Sequence, residues 1–411
     1  MDQKLIALLL NCLHLDQGRL DKCLLAALSA QEWEDLVALA ADQRVRALLY
    51  HNLLTRGLED MVPENILQTL KDFYTQNTLH NLRYSNELKK IVIACADENV
   101  SVLVLKGIYL AHVIYDQIGL REMNDIDLLV KKEDLARATE IMIASGYRPL
   151  EPFSIDWIVT STFHHPPPFV KPNVAGVEIH WSIAQPEISP RFDIMDLWNQ
   201  AAPAKIAQTE MLCLNPEDVL SYLCFHNAQH AFGFGLRPYC DIQATIDHFS
   251  HALDWDQILE RVQRWGWERG VHLSLYLARD FVGAEVPEYI LKALKPAQDT
   301  DAIYSIARSQ TFASKASLQK INPNVASYTQ LSTKQKVSML MQRFFPSRSE
   351  IAHKYHVAPD SWVIWLKYPI RWKDLLFKHS KILLDVPGSD NELAELAKKK
   401  GELLHWLTGS Q

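Results

Sequence analysis

No stretch of this 411-residue chain approaches the ~18 uninterrupted apolar residues that a membrane helix needs, although 48% of its residues are hydrophobic. This pattern predicts a sizeable buried core and no membrane span. The opening MDQKLIALLLNCLHL is briefly apolar, but Asp2, Asn11 and His14 interrupt it and no small-residue cleavage pattern follows, so it reads as an amphipathic core helix. Cysteine is scarce and scattered. Cys12, Cys23, Cys95, Cys213, Cys224 and Cys240 never form a CxxC pair, which argues against a zinc ribbon or a disulfide framework and for reduced thiols in a cytoplasmic protein. An excess of positive charge is missing too. With 42 Lys+Arg against 49 Asp+Glu, the formal charge is −7, the wrong sign for a protein that tracks long nucleic acid. There is no internal repeat, and the one biased segment is the proline-rich HHPPPFVKPNVAG at 164–176.

What is present concentrates in residues 102–147. VLVL at 102–105 has strand character, Lys106-Gly107 makes a turn, IYLAHVIYDQI reads as an apolar helix, and REMNDIDLLV returns as a strand. On that second strand Ile126, Leu128 and Val130 take one face and Asp125 and Asp127 the other, roughly 6.6 Å apart. That spacing lets both carboxylates lean onto one divalent cation. Read alone, a D-x-D strand is equally a solvated edge whose acids blunt aggregation. The Lys-Gly turn adds a cation and, at a helix start, free N–H groups suited to phosphate. Lysine and glycine at a turn are also ordinary surface chemistry. A third acid is available at Glu178 in VEIHWSI, whose Val177, Ile179, Trp181 and Ile183 leave Glu178, His180 and Ser182 on the opposite face. If the two strands share a sheet, Glu178 joins the aspartates at a metal or serves as a base.

The segment LKGIYLAHVIYDQIGLREMNDIDLLVKKEDLARATEIMIASGY and the EIHW strand resemble the uncharacterised nucleotidyltransferase family of the polymerase-beta-like superfamily. The resemblance extends loosely to residues 33–54 and to HNAQHAFGFGLRPYCDI at 226–242. It implies an α+β fold, a small mixed sheet flanked by N-terminal and C-terminal helical regions, with metal-binding aspartates at Asp125 and Asp127 and a third acid at Glu178. It implies Mg2+ or Mn2+ as cofactor, a nucleoside triphosphate as co-substrate, and a hydroxyl-bearing acceptor, small molecule or protein. Where the wider superfamily has Gly-Ser or Gly-Gly, this chain has Lys106-Gly107, which removes the usual serine contact to phosphate. Lys106, the Gly107 backbone and Arg121 are then the nucleotide-binding candidates. The missing serine keeps open a module that binds nucleotide without turnover. Neutralising either aspartate is expected to abolish transfer with little loss of folding stability.

The coarse organisation is a helical region at 1–90, a core at 91–210 and a helical region at 211–411, in line with about two or three domains for this length. Helices are expected near 64–73 and 88–99, and Asp134 and Gly146 are expected to bound another. Asn215 caps a helix carrying His226 and His230 at i,i+4. That pair suits zinc, and with Asp241 it forms the rival reading of a zinc-dependent hydrolase, but Asn227 stands where an HExxH motif has glutamate. Arg237 and Asp241 read as a helix ion pair, and the resemblance places His226, His230, Arg237, Asp241 and His180 on the substrate side of the cleft. Arg121 either holds phosphate or salt-bridges Asp127. The proline-rich loop reads as a stiff turn, with His164, His165, Phe169 and Lys171 the residues that would cover an acceptor if it did more. The last third is read as short helices, broken at Pro346, Pro359 and Pro369, that cap the core, with a solvated helix after Pro387.

Overall fold

The computed structural model describes residues 2–160, 164–172, 174, 176–184, 189, 191–297, 300–314, 317–318, 345, 348, 351, 355, 357, 361–384 and 391–408. Seven strands form one mixed sheet in the order β3-β4-β5-β2-β1-β7-β6. They are β1 (Val102–Val104), β2 (Asp125–Val130), β3 (Arg148–Pro149), β4 (Phe169–Val170), β5 (Gly176–His180), β6 (Ala202–Ile206) and β7 (Thr209–Cys213). The α+β class and the mixed sheet are as expected. β2 runs antiparallel to β1 and parallel to β5, and its register sets Asp127 directly opposite Glu178. Because side chains alternate along a strand, this register puts both acids on one face while Ile126, Leu128, Val177 and Ile179 enter the core on the other. The β6–β7 hairpin was not legible as such. Its two-residue turn, Ala207-Gln208, holds positive φ without the glycine or asparagine that ordinarily marks it.

Upstream of the sheet the chain is helical, as expected, but the two helices read at 64–73 and 88–99 are one 34-residue helix, Glu64–Asp97. Its polar middle looked like a break because Asn77 and Asn81 are not apolar. Both are buried, and their amides donate to the carbonyls of Ile118, Gly119 and Arg121. They clamp the loop that delivers the acidic strand. Gly119 makes the approach possible, since a Cβ there would collide with Thr78 and Tyr74. The helix after the Lys-Gly turn is shorter than its apolar run: Lys106–Tyr109 passes into one wide, π-helical turn, Leu110–Ile114, and stops. It starts at Lys106, one residue before the glycine. Asp134 precedes the Leu135–Ala144 helix without a side-chain capping bond. Gly146, at φ +84°, follows that helix's end.

The chain divides into two compact units, one of residues 1–151 and 164–312, the other of residues 152–163 and 313–411. Residues on both sides of position 211 belong to the first of these units. Pro216–Gln229, Arg237–Phe249 and Glu268–Val282 pack on one another, and the second of them packs on the wide turn after β1. Leu220, Phe232, Tyr239, Leu273 and Phe281 are buried in this unit. In the other unit Pro369 does not break a helix but lies inside Val363–Leu384. One proline forfeits a single backbone bond, and Ile351 and Ile364 pack there against Tyr355, Val357 and Tyr368. The breaks read at Pro346 and Pro359, and the start of the tail at Pro387, lie outside the described residues. The final helix, Asn391–Thr408, buries Leu403 and carries an exposed Lys399–Glu395 pair. Among the described residues no helix is long and apolar enough to cross a membrane.

Candidate active site

Strands β2 and β5 carry three carboxylates to one side of the sheet. Lys106, from the first helical turn after β1, sets its Nζ 3.5 Å from Asp127 Oδ1. His180 Nε2, at the end of β5, donates to the same oxygen at 3.1 Å and lies 3.4 Å from Glu178 Oε2. Burial works against the charge on Asp127, yet Lys106 and His180 hold its carboxyl well below the usual range. The His180 hydrogen bond holds Glu178 down too, against burial. Asp125 differs. Burial first, and the neighbouring Asp127 second, push its carboxyl up. Lys106 and His180 are themselves buried, which disfavours their charge, but the acids around them raise both above their ordinary values. Three carboxylates thus meet one ammonium and one imidazole.

A second cluster is balanced. Arg121 donates through Nε and Nη2 to the two oxygens of Asp241 at 3.0 and 2.9 Å, and the Tyr115 hydroxyl adds 3.0 Å to Asp241 Oδ1. The acid bonded to Arg121 is therefore Asp241 and not Asp127. The ion pair read between Arg237 and Asp241 does not form, since Asp241 pairs instead with Arg121 from the loop before β2. Arg237 instead donates to the Glu122 carbonyl at 2.9 Å. Half-buried and short of a carboxylate partner, with Arg121 close by, its guanidinium is pulled down to about 10. The Nε of Arg237 has no hydrogen-bond partner among the described residues. Such a cation is half of an anion site. Arg121 Nη1 comes within 3.2 Å of where a Gly107 Cβ would stand, so the glycine lets the guanidinium pass over the turn.

His226 and His230 face one another, ring centroids 4.6 Å apart, but His226 Nε2 lies 3.0 Å from Lys106 Nζ. An ammonium only donates, so that nitrogen is an acceptor and is spent. Burial, then Lys106, drive His226 well below its ordinary value. With Asp241 held by Arg121, the zinc trio of His226, His230 and Asp241 does not assemble. Among the described residues, the groups with ligand atoms within 4.8 Å of one another are Asp127, Glu178 and His180, and His164, His165 and His180. Asp125 belongs to neither, one step back along β2.

Apart from Tyr115, these side chains line one cavity of about 330 Å³, together with Gly107, Asn124, Tyr222, Phe234 and Arg44. Every site residue expected from the sequence is in it: Lys106, Gly107, Arg121, Asp125, Asp127, Glu178, His180, His226, His230, Arg237 and Asp241. The uncharacterised nucleotidyltransferase family matches residues 29–283, more than half of the chain. The chain belongs to that family. No curated protein matches it. The solution structure of an antibiotic-resistance factor, ANT(2'')-Ia, is similar at 14% identity with a TM-score of 0.30, over 44% of this chain and 89% of that one.

Several lining residues of this family member escaped the sequence reading. Tyr222 sits one helical turn before His226 and reads as packing, and Arg44 lies far upstream at a helix end. His164 and His165 were visible but looked like part of a stiff turn. In the structure both line the cavity, while Phe169 is buried in β4 and Lys171 reaches Glu87 and the Ser145 carbonyl instead. Little loss of stability was expected on neutralising either aspartate. Of the two, Asp127 is the more firmly anchored, its Oδ1 taking the contacts from both Lys106 and His180.

Proposed function

We propose that this protein transfers a nucleoside monophosphate from a nucleoside triphosphate to a hydroxyl acceptor, with Mg2+ or Mn2+ held by the acids of β2 and β5. The observation that carries the reading is that Asp125, Asp127 and Glu178 outnumber the cations bonded to them and line one cavity with a half-buried Arg237, which has no carboxylate within ion-pair distance among the described residues. A divalent cation and a phosphate chain complement the two ends in turn. The carboxylates of Asp127 and Glu178, with oxygens within 4.8 Å of one another, fit a small divalent cation that prefers oxygen ligands. Such an ion, when bound, would neutralise phosphate charge and polarise the α-phosphate.

The chain's own groups divide the remaining work. Asp127 and Glu178, both held low, stay ionised to hold the cation, with Asp125 beside them. His180 orients the two acids through its hydrogen bonds. Lys106, Arg237 and the Nη1 side of Arg121 meet phosphate oxygens, and Asp241 with Tyr115 fixes the Arg121 fork. In the transfer the acceptor O–H breaks, its oxygen bonds the α-phosphorus, the bond from that phosphorus to the bridging oxygen breaks, and pyrophosphate leaves. The proton passes to a cleft carboxylate, Asp125 being the most basic of the three. The acceptor, a small molecule or a protein hydroxyl, is bound at the histidine side of the cavity.

The test is calorimetric titration with nonhydrolysable analogues of the four nucleoside triphosphates, with and without magnesium or manganese, for wild type and Asp125→Asn. Cation-dependent binding of at least one analogue, lost in the variant, is the expected result. Absence of binding to all of them with either cation would refute the reading. Binding without pyrophosphate release in the presence of any hydroxyl acceptor would mark a nucleotide-binding module without turnover.

A further inference from the structure

Beside the acids, a second group of donors is built from a different part of the chain. His164 and His165 stand immediately before Pro166, Pro167 and Pro168, whose fixed φ stiffens the loop. The His164 carbonyl accepts from the backbone N–H of Trp181 at 3.0 Å, just past the end of β5. That bond ties the loop to the strand carrying His180. One nitrogen of each imidazole lies within 4.8 Å of one nitrogen of each of the others, and the ring centroids are 4.7, 4.8 and 5.5 Å apart.

The hydrogen bonds around the three rings assign which nitrogens carry lone pairs. His165 Nδ1 lies 2.7 Å from the Pro166 carbonyl. A carbonyl accepts only, so Nδ1 is protonated and Nε2 bears the lone pair. His180 gives its Nε2–H to Asp127, with Glu178 beside it, which in a neutral ring leaves the lone pair on Nδ1. That Nδ1 is buried and has no hydrogen-bond partner among the described residues, and the same holds for Nδ1 of His164. His180 is 3% exposed. Metal-bound histidines characteristically donate their other N–H to a carboxylate or a backbone carbonyl, which fixes the tautomer and raises ligand basicity. His180 has the carboxylate version of this arrangement and His165 the carbonyl version. Two neutral, buried imidazole nitrogens without partners are costly where nothing accepts or ligates them.

We propose that His164, His165 and His180 bind one borderline transition-metal cation of the zinc class, at a site distinct from the carboxylate site for magnesium or manganese. Three imidazoles suit Zn2+, Co2+ or Ni2+ and are poor ligands for Mg2+. Three protein ligands leave a coordination position open to the cavity, where an acceptor oxygen can bind. His180 then joins the two sites, its Nε2 orienting the acids and its Nδ1 holding the second cation.

The site is read with metal alone, so its outcome is independent of nucleotide transfer. Metal-stripped full-length protein is titrated with Zn2+ by calorimetry in excess Mg2+, as wild type, His164→Ala/His165→Ala, His165→Ala and Asp125→Asn, after thermal melts confirm that each is folded. Co2+ loading is followed by its visible d–d absorption. The expected result is one Zn2+ per wild-type chain, unaffected by magnesium and retained in Asp125→Asn. Loss of supporting groups alone costs 10–100-fold in affinity, so removing two ligands should weaken binding by about 100-fold or more, with the cobalt bands gone. His165→Ala, whose ring is only partly buried, serves if the double variant does not fold, and there a weakening of at least about 10-fold is expected. No zinc uptake by wild type, equal affinity in the histidine variants, or loss in Asp125→Asn with retention in the histidine variants would each overturn the proposal, the last by placing the cation on the acids.

Discussion

Arg121 with Asp241, buried, and Lys106 with Asp125, Asp127 and Glu178, partly buried, are two charge clusters on the walls of one cavity, and they are balanced differently. The first is complete: a guanidinium fork, a carboxylate that accepts both arms, and a tyrosine hydroxyl. The second is short of positive charge, and its acids respond in opposite directions, Asp127 and Glu178 held low and Asp125 pushed up. A paired cluster fixes geometry, because each member loses its partner if the other moves. An unbalanced one has capacity left for a ligand. Under the proposed function, the first is scaffolding for the phosphate side and the second the receptor for cations.

The largest expected effect breaks the balanced cluster. Asp241→Ala strands the buried Arg121 and should cost about 3–5 kcal/mol of unfolding free energy, measured by urea denaturation. A loss under about 1 kcal/mol would mean the pair is not structural. Gly119→Ala comes next. The added methyl has to push Thr78 and Tyr74 off the loop that carries Arg121, for a cost of about 1–3 kcal/mol, and a melt indistinguishable from wild type would show that this packing is loose.

Without mutation, acid probes the histidines that line the same cavity. His164 is pulled down to about 3 by burial and by His180 and His165, and His165 and His226 are also lowered. A histidine lowered on folding binds its proton more readily when unfolded, so its contribution is intact above the ordinary value of 6.5 and is lost as pH falls from there towards the folded value. His180, raised by Asp127 and Glu178 against burial, acts the other way: its contribution is full below 6.5 and fades as pH rises through its folded value. His14, His51, His112 and His272 are lowered too, so the lowered histidines outweigh the one raised and the urea midpoint should fall between about pH 7.5 and 5. His164→Gln should flatten that slope, and an unchanged slope would count against a buried neutral His164.

The smallest expected effect sits in the unbalanced cluster. Asp125→Asn removes a charge that burial and Asp127 already disfavour, so stability should hold within about 0.5 kcal/mol of wild type or rise. A loss of 2 kcal/mol or more would show Asp125 to be a structural partner and erase the contrast with Asp241.

Much of the site was legible because strand chemistry is local. The alternation of β2 puts Asp125 and Asp127 on one face whatever the strand packs against, and VEIHW does the same for Glu178 and His180. The capped helix after Asn215 and the α+β class follow from similarly short patterns, whereas Lys106-Gly107, read as a turn, already begins a helix. Illegible parts were those in which polar residues face inward. Asn77 and Asn81 broke the apolar periodicity of the Glu64–Asp97 helix because they serve backbone carbonyls some 40 residues away.

The sequence by itself determined which residue types were available and which face each occupied, since covalent geometry and side-chain alternation act over a few residues. Only the tertiary structure decided the partners. Asp127 stands opposite Glu178 through a parallel register that a shift of one residue would undo. Arg121 met Asp241 and not Asp127, across 120 positions, and a loop that read as a stiff turn brought His164 and His165 to His180. Charge pairing depends on through-space distance and burial, and neither is encoded in spacing along the chain.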